Sequence, residues 1–140
     1  MLRLPSFTSL WAHYPNAEPE TVKASIGGNV NLAWIKNTCV IRICYALNRT
    51  GISIHDGMGM HTIRGGDGYR YGYRVSEFRV FMENHFGPPQ KFSAGTQGII
   101  MFNVSGWSDA TGHFDLYDGQ GCRHECYFQV SSSEYIWPCP

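Results

Sequence analysis

The chain is 140 residues long, the size of one domain, and at that length roughly 70% of the unfolded chain's surface can be buried in a core. With 43% hydrophobic and 14% aromatic residues it is too apolar for a disordered chain, yet no apolar run nears the roughly 20 residues that span a bilayer, which excludes membrane insertion. Eleven basic side chains balance eleven acidic ones for a formal charge of +0, whereas a nucleic-acid binder carries a basic surplus.

The opening stretch M-L-R-L-P-S-F-T-S-L-W has no apolar core followed by a small-residue cleavage site, so it does not read as a secretory signal. Phe7, Leu10, Trp11 and Tyr14 fall at i, i+3, i+4 and i+7, a helical stripe that Ser6 can cap. Pro15, Pro19 and the pair Gly27-Gly28 break up the rest of residues 1 to 36. From Asn37 the pattern sharpens in N-T-C-V-I-R-I-C-Y-A-L-N-R-T-G: Asn37 or Thr38 caps a helix, Gly51 ends it, and Val40, Ile43, Cys44 and Leu47 give it a buried face. Residues 55 to 73 hold six glycines with no surviving periodicity and read as a long loop. Its run R-Y-G-Y-R, Arg70 to Arg74, reads as a solvated strand or loop, and His55, Asp56 and His61 carry no ligand pattern beyond their presence.

A second helix follows in V-S-E-F-R-V-F-M-E-N-H-F, with Ser76 as cap and Phe78, Phe81, Met82 and Phe86 on one face, stopped by Gly87 and Pro88-Pro89. Strands are expected over Gly98 to Val104, over His113 to Tyr117 before the turn at Asp118-Gly119, and over Tyr127 to Val130. Helices first and an antiparallel sheet after is the order of an α+β domain, here a single domain over 1–140.

Two residues stand out chemically. Cys39 sits in the first turn of its helix, where the dipole and free N–H groups favour negative charge, and the thiolate is the reactive form of cysteine. His113 opens a strand behind Gly112. A helix-borne Cys with a strand-borne His far downstream is the layout of papain-like thiol hydrolases, in which the His maintains the thiolate and protonates the leaving amine. Cys44, five residues on and in the apolar stripe, is expected to be inert packing.

Four stretches, P-S-F-T-S-L-W, I-G-G-N-V, N-T-C-V-I-R-I-C-Y-A-L-N and G-I-I-M-F-N-V-S-G-W-S-D-A-T-G-H-F-D-L-Y-D-G, closely resemble the fourth family of type VI secretion amidase effectors. These are bacterial toxins with the papain-like fold of NlpC/P60 cysteine peptidases. The resemblance runs over nearly the whole chain in the family's order. It implies a cysteine amidase with Cys39 as nucleophile and His113 as general base and acid, acting without a cofactor on the γ-D-glutamyl–meso-diaminopimelate bond of peptidoglycan stem peptides. It also implies synthesis in the cytoplasm, delivery by type VI secretion machinery into a rival's periplasm, and a cognate immunity protein.

One position departs from the family. Its pattern places an Asp eleven residues after the histidine, inside C-x-D-x-C; here the stretch is C-R-H-E-C, with His124 in that place. A third residue orients the imidazole by accepting its N–H bond. His124 is the expected one, with Glu125, one residue out of register, and Asp115, on His113's own face of the strand, as the other candidates. The resemblance implies a disulfide between the flanking Cys122 and Cys126, in preference to a zinc site built from both thiolates with His124 and Cys139. The substitution at position 124 is also the sole feature favouring a rival reading, a catalytically inactive module of the same fold that binds peptidoglycan or a partner.

Overall fold

The computed structural model describes residues 1–106 and 112–140, which form four α-helices and six strands. Helix α1 spans Phe7–His13, and Ser6 caps it as expected, its side chain accepting from the Ser9 N–H. Helix α2, Pro19–Ile26, starts with proline at its first position and ends at Gly27; sequence periodicity over so few residues did not announce it. Helix α3 is Cys39–Asn48. Helix α4 is Val75–Phe86, capped by the extended Arg74 rather than the expected Ser76 and closed by Gly87 at φ 86°.

The expected loop over 55 to 73 contains a hairpin: β1, Thr62–Arg64, pairs antiparallel with β2, Arg70–Gly72. Three-residue strands are too short to show alternation, and the glycines that hide them build the turn between. Gly28 packs there so closely that a Cβ would lie 2.5 Å from the Gly66 nitrogen.

The remaining strands are β3 (Gln90–Lys91), β4 (Gly98–Asn103), β5 (Gly112–Tyr117) and β6 (Ser133–Pro138), in one antiparallel sheet of order β3-β6-β4-β5. Tyr127 to Val130 is not a strand but ends in a turn, with Val130 N–H donating to the Tyr127 carbonyl; the third long strand is β6 instead. Both faces of the sheet are covered. Ile99, Met101, Phe114, Leu116 and Trp137 join the main core with α1, α3 and α4, where the Phe78 and Phe114 rings meet edge to face at 4.9 Å. Ile100, Phe102, Tyr117 and Ile136 form a smaller cluster beneath Cys122, Cys126 and Tyr127. Among the described residues no helix is long and apolar enough to cross a membrane.

Candidate active site

Alternation along β5 sends Phe114 and Leu116 into the main core and His113 and Asp115 to the other face, beside the loop over 122–127. The approach of β5 to β4 depends on Gly112, where a Cβ would stand 2.2 Å from the Phe102 carbonyl oxygen. His113 is thereby carried to the start of α3, where it lines the same cavity as Cys39 and the thiol acts on its pKa. The segment leading into α3 is braced by Lys23, a buried lysine whose Nζ donates to the Ile35 carbonyl at 2.7 Å. Asn37, not Thr38, supplies the side-chain cap: its Oδ1 accepts from the Cys39 N–H at 3.0 Å.

The imidazole of His113 is hydrogen-bonded to Asp115. Nε2 donates to Asp115 Oδ2 at 2.7 Å, which leaves Nδ1 for the thiol. Asp115 is fully buried, and three backbone N–H groups hold it besides. Leu116 and His124 donate to Oδ1 at 2.8 and 3.1 Å, and Glu125 donates to Oδ2 at 3.0 Å. Burial pulls the His113 pKa down, but hydrogen bonds to Asp115 and Cys39 overcome it and raise it to about 9. The imidazole is therefore protonated at neutral pH.

The expected orienting residue, His124, does not reach this imidazole. Its ring bonds elsewhere, Nδ1 donating to Asn16 Oδ1 at 3.3 Å. Partial burial and the nearby Arg42 charge depress its pKa, so it is neutral at physiological pH. Position 124 serves the site through its backbone N–H instead. The carboxylate two residues along the same strand lies nearer to hand than a side chain from the next loop, because strand alternation places 113 and 115 side by side. Glu125 likewise contributes its amide, with its side chain exposed. Cys122 and Cys126 are joined by a disulfide that closes the loop carrying both of these amides. Cys139 is a separate free thiol whose pKa burial pushes up to about 12. Among the described residues, no group of three or more His, Cys, Asp or Glu is arranged to hold a metal ion.

The thiol and imidazole face a cavity of about 470 Å³ lined by Pro19, Lys36, Asn37, Thr38, Cys39, Arg42, Gly106, His113, His124 and Tyr127. The Tyr127 ring packs edge-on against His113 at 4.7 Å. Arg42 escaped the sequence reading, although a lone charge within V-I-R-I-C, one turn after the cysteine, was a usable signal. The Cys39 N–H, expected among the free N–H groups of the helix start, is instead taken up by Asn37 Oδ1. The Gly-rich segment stays apart from this cavity: His61 pairs with Glu77, and Arg70 with Asp56.

Comparison with known proteins places the chain in a family. The family model for type VI secretion system (T6SS) amidase effector protein 4, Tae4, matches residues 35–137. The crystal structure of the type VI effector Tae4 from Enterobacter cloacae is 31% identical, with a TM-score of 0.89 over 100% of both chains. Tae4 from Salmonella typhimurium in complex with the immunity protein Tai4 from Enterobacter cloacae is 29% identical, with a TM-score of 0.90 over 98% of this chain and 100% of that one. The Tae4–Tai4 effector–immunity complex from Salmonella Typhimurium is 30% identical, with a TM-score of 0.89 over 99% of this chain and 100% of that one. No curated protein matched by sequence. The expected α+β, papain-like architecture is the one these effectors share, and the chain belongs to the Tae4 family of type VI secretion system amidase effectors.

Proposed function

We propose that residues 1–140 work as a single cysteine amidase domain that hydrolyses the γ-D-glutamyl–meso-diaminopimelate bond of peptidoglycan stem peptides. The observation that carries this reading is the Cys39–His113–Asp115 relay at the mouth of an open cavity. The Cys39 thiolate adds to the γ-carbonyl carbon, and the carbonyl π pair moves onto oxygen. Asn37 offers the oxyanion a donor: with Oδ1 held by the Cys39 N–H, its Nδ2 is the group left to face the cavity. As the intermediate collapses the C–N bond breaks, and the His113 imidazolium passes its Nδ1 proton to the departing amine. Neutral His113 then takes a proton from water as that water attacks the thioester, and the thiolate leaves with the imidazolium restored. Asp115 fixes the ring through Nε2 and stabilises its positive charge in both half-reactions.

Delivery by type VI machinery into a rival's periplasm, and a cognate immunity protein that blocks the cleft, complete the reading; its support is the family and the Tai4 complexes of its relatives. The test is mass spectrometry of purified sacculi digested with the wild-type protein and with Cys39→Ala. The expected products carry a free glutamyl γ-carboxyl and a new diaminopimelyl amine, formed by the wild type alone. An unchanged muropeptide profile, or cleavage at another bond, contradicts the assignment.

A further inference from the structure

The cavity holds a buried cation with one donor group unused. Arg42 lies one helical turn after Cys39 and is 1% exposed. Nε donates to Thr38 Oγ1 at 3.1 Å, and Nη1 donates to the Pro15 and Ala17 carbonyls at 2.9 and 2.7 Å. All of these acceptors are neutral, and Nη2 has no hydrogen-bond partner. A buried charge is costly unless an opposite charge compensates it, yet no carboxylate among the described residues pairs with Arg42. Lys36 adds a second, exposed cation to the same cavity, and no described lining residue is acidic. The nearby acid, Asp115, stands behind the imidazole with four donors of its own. Among the described residues the wall beside the nucleophile is thus positive, with no carboxylate lining it.

We infer that Arg42, with Lys36 beside it, is a specificity-determining residue that makes the cavity select substrates bearing a free carboxylate next to the scissile amide. The inference rests on the amidase reading and names the substrate class within it. Two carboxylates flank a γ-glutamyl–diaminopimelyl amide, one on the glutamyl α-carbon and one on the diaminopimelyl residue. Replacing the carboxylate that meets Arg42 by a carboxamide removes a charge-assisted contact and leaves the guanidinium uncompensated.

The test uses three synthetic stem peptides: the parent, the glutamyl α-carboxamide and the diaminopimelyl carboxamide. Their kcat/KM values are compared for the wild type, Arg42→Gln and Lys36→Gln. The wild type is expected to cleave one carboxamide about tenfold less efficiently than the parent, or worse, and which one identifies the carboxylate. Arg42→Gln should abolish that preference, and Lys36→Gln, at an exposed position, should narrow it even if Arg42→Gln fails to fold. A purely structural Arg42 would lower all three rates together and leave their ratios unchanged. Equal wild-type rates on all three peptides overturn the inference while leaving the amidase reading intact, as does a full preference retained in both variants. Cleavage of none of the peptides overturns the amidase reading and this inference with it.

Discussion

The two ends of α3 each carry one cysteine and one arginine, and they use them differently. At the N-terminal end Cys39 meets His113 and a cavity, and Arg42 is held by neutral oxygens alone. Toward the C-terminal end Cys44 is sealed in the core, where burial pushes its thiol up to about 12. Arg49 there is fully matched: Nη2 donates to Asp67 at 2.7 Å, and the guanidinium stacks 3.4 Å over the Tyr45 ring. Tyr71 also donates to Asp67, which pins the turn between β1 and β2. Residue type therefore does not distinguish a working site from a structural one. What distinguishes them is the setting: Cys39 and Arg42 line a cavity, with Arg42 Nη2 unpartnered, whereas Cys44 is sealed in the core and Arg49 is paired.

Mutations at the two ends should separate in kind as well as size. Cys39→Ala and His113→Ala should each lower amidase turnover by about 10⁴-fold or more with an unchanged far-UV spectrum; an active Cys39→Ala would remove the contrast altogether. Asn37→Ala should come next, with kcat reduced roughly 10²–10³-fold by loss of an oxyanion donor, and a loss of about 1 kcal/mol in stability from the missing cap. Steady-state kinetics on a soluble muropeptide would show whether kcat, rather than KM, carries the defect.

At the other end the effects should fall on stability alone. Arg49→Ala should cost about 1–2 kcal/mol through the lost ion pair and ring stacking, and Cys44→Ala about 1 kcal/mol through a small cavity. Denaturant midpoints would read both, with kcat/KM staying near the wild-type value. A catalytic defect in Cys44→Ala with normal stability would break the distinction between the two cysteines.

Much of this architecture was legible because it obeys local rules. Ser6 capping the Phe7–Leu10–Trp11–Tyr14 stripe, the apolar face of α3, the glycine stop of α4 and the alternation of β5 are all short-range signals. Elements set by packing were not. Strand β6 is held by pairing with β3 and β4 on its two sides, while S-E-Y-I-W-P looks unremarkable and ends in a proline. The alternating Y-F-Q-V stretch looked like that strand, but exposed Phe128 and Val130 flank a turn instead. In the site, Cys39 and His113 followed from position in their elements. Family register pointed to His124 for the third residue, whereas strand alternation pointed to Asp115, and it is Asp115 that the imidazole hydrogen-bonds. Arg42 and Asn37 stayed hidden, since their significance lies in which of their atoms are already bonded.

The account turns on Asp115 setting the protonation of His113. Its most direct test is the pH profile of kcat/KM for the wild type, Asp115→Asn and His124→Ala on one soluble muropeptide. The imidazolium is the active form, so the wild-type rate should fall as pH rises through about 9. Removing the Asp115 charge takes away a stabiliser of that imidazolium, so the falling limb of Asp115→Asn should move to lower pH than in the wild type, with peak activity reduced about 10²–10⁴-fold. His124→Ala should keep the limb near 9. A falling limb that stays put in Asp115→Asn and moves in His124→Ala would contradict the account and return the orienting role to position 124.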